Sequence, residues 1–207
     1  MATPTRIYLA RHGQTVTNRE QRFCGHSETP LTPLGLEQAR ALARRISGFS
    51  LGACYTSDLG RAKETASIAL GQHPISPRVD PRLRELHYGD WELQPEAEVQ
   101  RRDPAGYRLL EDEDPAWRPP GGESVAEVRA RTSSALARIA ASHPGQGVLV
   151  ISHGTAINCL ISTILAMPET HVFRIDVSHC SLTEIEQRRG RMYIVRLNDT
   201  AHLEGLA

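Results

Sequence analysis

The stretch that decides the fold is LARHGQT, from Leu9 to Thr15. A short apolar run, Ile7–Ala10, gives way without a linker to an arginine, a histidine and a glycine. Working outward, five more strand-like runs appear, at Ala53–Thr56, Arg78–Leu83, Gly147–Ser152, Ser181–Glu186 and Met192–Leu197. Helical patterns lie between most of them. Thr32 followed by Pro33 reads as a capped helix start, continued by Leu36, Ala39, Leu42, Ala43 and Ile46 on one stripe. Ser124 and Glu127 form a capping box, after which Val125, Val128, Thr132, Leu136 and Ile139 recur at helical spacing. Alternating strand and helix predicts a mostly parallel, six-stranded α/β sheet with helices on both faces. QRRGR is short enough for a hairpin between the last two strands, so some antiparallel pairing is expected near the C-terminus.

The bulk numbers fit one soluble domain over 1–207. Hydrophobic residues make up 40% and charged residues 23%, and the 24 Lys+Arg balance the 24 Asp+Glu. That balance speaks against a nucleic-acid or membrane-surface binder, though not against a local basic pocket. Cys24, Cys54, Cys159 and Cys180 show no CxxC spacing and read as reduced and structural. The first residues lack a long apolar run, so no secretory signal is expected, and Ala156–Met167 is too short and too polar to span a bilayer. A cytoplasmic protein follows as the expectation. The segment at about 93–120, with EDEDP and RPPGG, reads as an excursion over the edge of the sheet. EDEDP and RRGR read as solvated charge.

Four polar clusters follow strand-like runs: Arg11-His12, Ser57–Arg61, Arg84-Glu85 and His153-Gly154. Any one of them is ordinary turn chemistry. In a parallel sheet, however, the carboxyl ends of the strands share one edge, and ligand sites of open α/β sheets lie outside that edge. The clusters would there bring together two histidines, arginines and a glutamate. Arginine forks match phosphate oxygens, and a neutral imidazole attacks phosphorus. Arg11 and Arg61 would keep His12 neutral, Glu85 could protonate a leaving oxygen, and His153 could stabilise the transferring phosphoryl group. Gly13 and Gly154 permit close backbone approach, and helix starts after these turns would offer N–H groups to an anion. No metal-ligand spacing, no phosphate-binding GxxxxGK[ST] loop and no GxSxG elbow is present, so neither a metal nor another cofactor is expected.

RHGQT (Arg11–Thr15), PLTPLGLEQA (Pro30–Ala39), YTSDLGRAKETA (Tyr55–Ala66), LRELHYGDWE (Leu83–Glu92), GGES (Gly121–Ser124) and SHG (Ser152–Gly154) occur in the order seen in the histidine phosphatase, or phosphoglycerate mutase-like, superfamily. The chain resembles that family over nearly its whole length. The resemblance implies a three-layer α/β/α sandwich and a metal-free site. It implies that His12 is the nucleophile that becomes phosphohistidine, that Arg11, Arg61 and His153 hold the phosphate, that Glu85 is the acid and then the base, and that Asn18 adds a phosphate contact. Gln14 stands where glutamate is commoner, and Leu93 where glycine is frequent; both bear on substrate fit. The short stretch between Glu92 and Gly121 and the ending LNDTAHLEG resemble the broad-specificity phosphatase branch. There the tail folds back toward the pocket, making His202 a candidate neighbour of the site, with an ordinary surface histidine as the alternative. His87, two residues after Glu85, either reaches a substrate's distal group or packs. His26, His73, His143, His171 and His179 have no such context.

The expected activity is hydrolysis of small phosphorylated metabolites. A cofactor-dependent phosphoglycerate mutase and a non-catalytic phosphate-binding module are the alternatives. A homodimer is left open.

Overall fold

The computed structural model describes residues 3–71 and 73–206. Six strands form one sheet: β1 (Thr5–Arg11), β2 (Leu51–Thr56), β3 (Pro77–Val79), β4 (Gly147–Ser152), β5 (Leu182–Arg188) and β6 (Arg191–Asp199). Their spatial order is β3-β2-β4-β1-β5-β6. β1, β2, β3 and β4 run parallel, while β5 is antiparallel to both β1 and β6. The antiparallel part therefore begins one strand earlier than the hairpin alone suggested. Arg189 and Gly190 both take positive φ, 50° and 77°, as a tight hairpin connection with the twist of the flanking strands requires.

Alternation along β1 sorts its side chains between two cores. Ile7 and Leu9 face α6 (Val125–Ser142) and α7 (Gly154–Ile164), whose Leu136, Ile139, Ile157 and Leu160 are buried with them. Tyr8 and Ala10 face α2 (Pro33–Ile46) and α3 (Gly60–Leu70), against Leu42, Ile46, Ala62 and Ala66. The result is the expected three-layer sandwich. β4 is buried from Val148 through Ser152, which is why GVLVIS reads as a continuous apolar run rather than an alternating one.

The helix starts fall where the caps put them. The Thr32 hydroxyl accepts from the Gly35 N–H at 3.0 Å, and the Ser124–Glu127 capping box closes in both directions. A four-residue turn of helix, α1 (Val16–Arg19), follows the first cluster with its own capping box between Thr15 and Asn18.

The third strand departs from expectation. It spans only Pro77–Val79, and Pro81–Leu83 forms a 3₁₀ turn capped by the Asp80 carboxylate. Proline lacks the N–H that a strand ladder needs and suits the first position of a helical turn, so Pro81 ends the extended run. Arg84-Glu85 consequently follows a turn rather than a strand end.

The 93–120 excursion carries two short helices, α4 (Glu96–Arg102) and α5 (Pro104–Glu111). It is fixed by a third apolar cluster in which Trp91, Val99 and Trp117 pack with Ala156 and Cys159 of α7. Leu93 adopts φ of 62°, a left-handed conformation that glycine accepts at least cost, so this departure from the family pattern is a matter of backbone geometry as well as surface. Among the described residues, no helix is long and apolar enough to cross a membrane.

Gly13 and Gly35 bring the loop after β1 directly onto α2. A Cβ on Gly35 would lie 2.1 Å from the Gln14 carbonyl oxygen, with no flexible side chain to yield. Gly35→Ala is therefore expected to lower stability by about 1–3 kcal/mol despite the better helix propensity of alanine, read as a drop in the chemical-denaturation midpoint.

Candidate active site

β1 and β4 pair in register from Arg6↔Gly147 to Arg11↔Ser152, and the His12 N–H continues the ladder to the Ser152 carbonyl at 3.0 Å. That register places the two histidine clusters side by side. His12 and His153 are 3% and 0% exposed, and their ring centroids stand 5.0 Å apart. His12 Nδ1 lies 2.7 Å from the Gly13 carbonyl. A carbonyl can only accept, so Nδ1 carries the proton and Nε2 keeps its lone pair. His153 Nε2 shares a hydrogen bond with the Ser57 hydroxyl at 2.7 Å, and its Nδ1 has no partner among the described residues.

Burial first, then the charges of Arg61 and Arg11, hold the His12 imidazole well below its ordinary pKa. The same causes act on His153, with His12 adding to them. Arg11 donates through Nη1 to the Val177 carbonyl at 2.7 Å, while its buried Nε has no partner. Burial lowers the Arg11 pKa, and Glu85 and Asp176 oppose that shift. Arg61 is 2% exposed and donates to the carbonyls of Ser27 at 3.0 Å and Gly25 at 2.6 Å. It thus braces the 24–27 loop while its charge reaches both imidazoles.

Glu85 is 7% exposed. Its carboxylate accepts from the N–H groups of Leu86, at 2.8 Å, and Thr155, at 3.1 Å. A Cβ on Gly154 would meet Arg11 Cζ at 3.5 Å and Glu85 Oε2 at 3.6 Å, which puts both charged groups beside the start of α7 and leaves the glycine as the space between them. Two helix-start N–H groups expected to be free for an anion are already taken: Thr155 gives its N–H to Glu85, and Gly60, at the start of α3, gives its own to Glu28, while the Gly154 N–H has no partner among the described residues.

Asn18 Oδ1 accepts from the Thr15 N–H, the Thr15 hydroxyl and His179 Nε2 at 3.1, 2.7 and 3.0 Å. That saturates the oxygen and leaves the Nδ2 amino group without a partner among the described residues. Arg11, Asn18, Glu85 and Gly154 all line one cleft of about 560 Å³.

His12, Arg61 and His153 do not themselves line this cleft, and Gln14, His87 and His202 stand off it as well. Gln14 turns toward α2: its Oε1 accepts from the Thr32 hydroxyl at 2.8 Å, and its N–H donates to Gln38. His87 stacks edge-on to His26, centroids 4.7 Å apart, and its Nδ1 accepts from the Gly89 N–H at 3.3 Å. His202 is half-buried and donates to the Cys180 carbonyl at 2.9 Å. The tail does fold back, and what it reaches is the turn that carries His179.

Sequence reasoning assigned no role to four residues that build this site. His179 sits 5.8 Å from His12, ring to ring. Burial and then Arg11 lower its pKa to about 3. The signal was available: once β5 is antiparallel to β1, the start of β5 lies at the same edge as the ends of the parallel strands, and Ser178-His179 immediately precedes it. Arg131 of α6 donates to the carbonyls of Arg82, Arg84 and Glu85 at 2.9, 2.6 and 2.7 Å, and is itself held by the Glu123 carboxylate. Glu92 accepts from the N–H groups of His26, Ser27 and Tyr88. Burial would raise its carboxyl, but these hydrogen bonds bring it below the ordinary range. His26 is likewise drawn in, through Nε2–H to the Glu85 carbonyl at 2.9 Å. Arg84 is spoken for by Asp58 and is not part of the cleft.

Two outcomes follow from this geometry. Arg131→Met removes the clamp on the Glu85 backbone without touching the cleft, so kcat should fall by at least about tenfold with a smaller change in KM. The buried histidines set the acid side of stability. His12, His153 and His179 stay neutral in the folded chain, whereas the unfolded chain takes up protons below about pH 6.5. Their contribution is fully present above that value and declines as pH falls toward the folded values, about 3 for His179. The thermal midpoint should drop between pH 6.5 and 4.5, before most carboxylates titrate, and His179→Asn should make that decline shallower.

The chain matches the family model described as the histidine phosphatase superfamily (branch 1) over residues 7–200. A probable phosphoglycerate mutase GpmB of Yersinia enterocolitica is 34% identical over 203 residues, covering 96% of this chain and 94% of that protein. Bacillus stearothermophilus YhfR superposes with a TM-score of 0.93 at 34% identity, over 97% of this chain and 100% of its own. The alpha-ribazole phosphatase from Shigella flexneri superposes with a TM-score of 0.87 at 28% identity, over 95% and 97%. On the match to nearly its full length, the chain belongs to the histidine phosphatase superfamily.

Proposed function

We propose that the protein is a metal-independent phosphomonoesterase that hydrolyses small phosphorylated metabolites through a phosphohistidine on His12. The observation that carries this reading is the His12 ring itself. Its proton is pinned on Nδ1 by the Gly13 carbonyl, and two guanidinium charges disfavour a second proton, so Nε2 presents a lone pair in a buried, cationic site. His12 Nε2 attacks phosphorus and forms the N–P bond as the ester P–O bond breaks, and Glu85 gives a proton to the departing alcohol oxygen. Glu85, now a carboxylate, takes a proton from water as that water attacks the phosphohistidine, which releases inorganic phosphate and restores the ring. Arg11, Asn18, Arg61, His153 and the Gly154 backbone hold the phosphoryl oxygens, and His179 fixes the Asn18 amide. The whole chain acts as one catalytic unit in this reading, with the 93–120 excursion as a wall of the cleft, in the cytoplasm. Two copies pairing as a homodimer would show as a doubled mass in light scattering.

His12→Ala should reduce kcat by at least about a thousandfold toward p-nitrophenyl phosphate, and a rapid quench of the wild-type enzyme should trap an acid-labile, base-stable phosphoryl group that the variant lacks. Turnover should persist in excess EDTA. Transfer to 3-phosphoglycerate that outpaces phosphate release once 2,3-bisphosphoglycerate is supplied would replace this reading with a mutase. Phosphate-ester binding without turnover would replace it with a binding module.

A further inference from the structure

Besides Arg11, Asn18, Glu85 and Gly154, the cleft has lining residues of a different chemistry. Asn158 lies one turn after Gly154 on α7, about 6 Å further along the same helix face. It lines the cleft, is 8% exposed, and its amide makes no hydrogen bond with any described residue; its Oδ1 is buried and unpartnered. A nearly buried amide costs free energy until something meets it, so it calls for a polar group on the ligand.

The surroundings say which kind of group. Phe23, Tyr88 and Phe173 give the cleft apolar walls. Of the two guanidinium groups that line it, Arg11 and Arg22, the latter is engaged by Glu20 at 2.8 Å and by the Leu93 carbonyl at 3.0 Å. Two carboxylates share the space: Glu96, which accepts from the Tyr107 hydroxyl, and Asp176, which has no ion pair among the described residues. With Arg11 taken up by the transferred phosphate and Arg22 already engaged, a second phosphate or a carboxylate on the substrate would meet the carboxylates of Glu96 and Asp176. An uncharged hydroxyl could accept from the Asn158 Nδ2 amino group, the edge of the amide that is not buried.

We propose that Asn158 reads a hydroxyl on the alcohol part of the substrate, so that the enzyme selects phosphomonoesters of uncharged, hydroxyl-bearing alcohols over phosphocarboxylates. This rests on the phosphatase reading above and adds the substrate class to it.

Three esters of one size isolate the point: racemic glycerol 1-phosphate, n-propyl phosphate, which lacks the hydroxyls, and 3-phosphoglycerate, which carries a carboxylate. For the wild-type enzyme, kcat/KM for glycerol phosphate should exceed that for propyl phosphate by about fivefold or more, and that for 3-phosphoglycerate by a larger factor. Asn158→Leu should bring the glycerol-to-propyl ratio close to one, and Asn158→Ser, which keeps a shorter polar group, should leave it between the two. Equal wild-type values for glycerol and propyl phosphate, a ratio that survives Asn158→Leu, or 3-phosphoglycerate as the better substrate would each overturn the assignment. The wild-type comparison needs no variant to fold. With p-nitrophenyl phosphate hydrolysed in parallel, those results would overturn the selectivity alone. Folded protein inert toward all four esters would overturn the phosphatase reading and the selectivity with it.

Discussion

Two guanidinium charges buried beside two imidazoles are the constraint on which this site depends. Arg61 is removed from water and Arg11 partly so, with few carboxylates to neutralise them, a placement that burial alone would make costly. Backbone carbonyls answer much of that cost: Val177 for Arg11, Ser27 and Gly25 for Arg61. The carbonyls must be held in place in turn. Glu92 fixes the N–H groups of His26 and Ser27, His26 reaches the Glu85 carbonyl, and Arg131 donates to that same carbonyl and to those of Arg82 and Arg84. The residues around the cleft form one hydrogen-bonded assembly whose common purpose is to keep positive charge next to uncharged histidine rings. Such an arrangement favours an incoming dianion and keeps a nucleophilic nitrogen unprotonated.

The layout of the sheet and the clustering at its edge were legible because they depend on short-range rules. LARHG and VLVISHG each put a charged or titratable pair directly after an apolar strand. The Thr32 and Ser124 caps marked helix starts that the structure keeps. What escaped was information held in pairing and in side-chain reach. His179 precedes its strand, and only the direction of β5 brings it to the active edge. Arg131 belongs to the middle of a long helix, where an arginine reads as a solvated face; its role depends on three carbonyls in a turn some fifty residues away in sequence. Glu92 acts on main-chain N–H groups, which carry no residue identity to read. The third strand stops at Val79, short of the apolar Leu83, because Pro81 has no N–H to give a ladder.

The candidates set apart from the core residues met different ends. Gln14 is a strut to α2, which explains why an amide serves there without loss: a hydroxyl can donate to an amide oxygen as well as to a carboxylate. His202 supports the site at one remove, through the Cys180 carbonyl. His87 packs on His26, whose Nε2–H reaches the Glu85 carbonyl.

The central position of β1 has a consequence for how the chain reaches this state. The first strand made is flanked by β4, whose pairing begins at Gly147, and by β5, whose pairing ends at Gln187. Neither neighbour exists while the first hundred residues leave the ribosome. Until then an apolar strand has both edges unsatisfied, and closing its ladders means joining segments more than 130 residues apart. Folding should accordingly be slow and late, with nascent chains open to edge-to-edge association or to capture by a chaperone. Because Asn18 and His179 meet only after β5 docks, the pocket is completed close to the last step of folding, and a chain interrupted before that strand would carry Arg11 and His12 with no finished site around them.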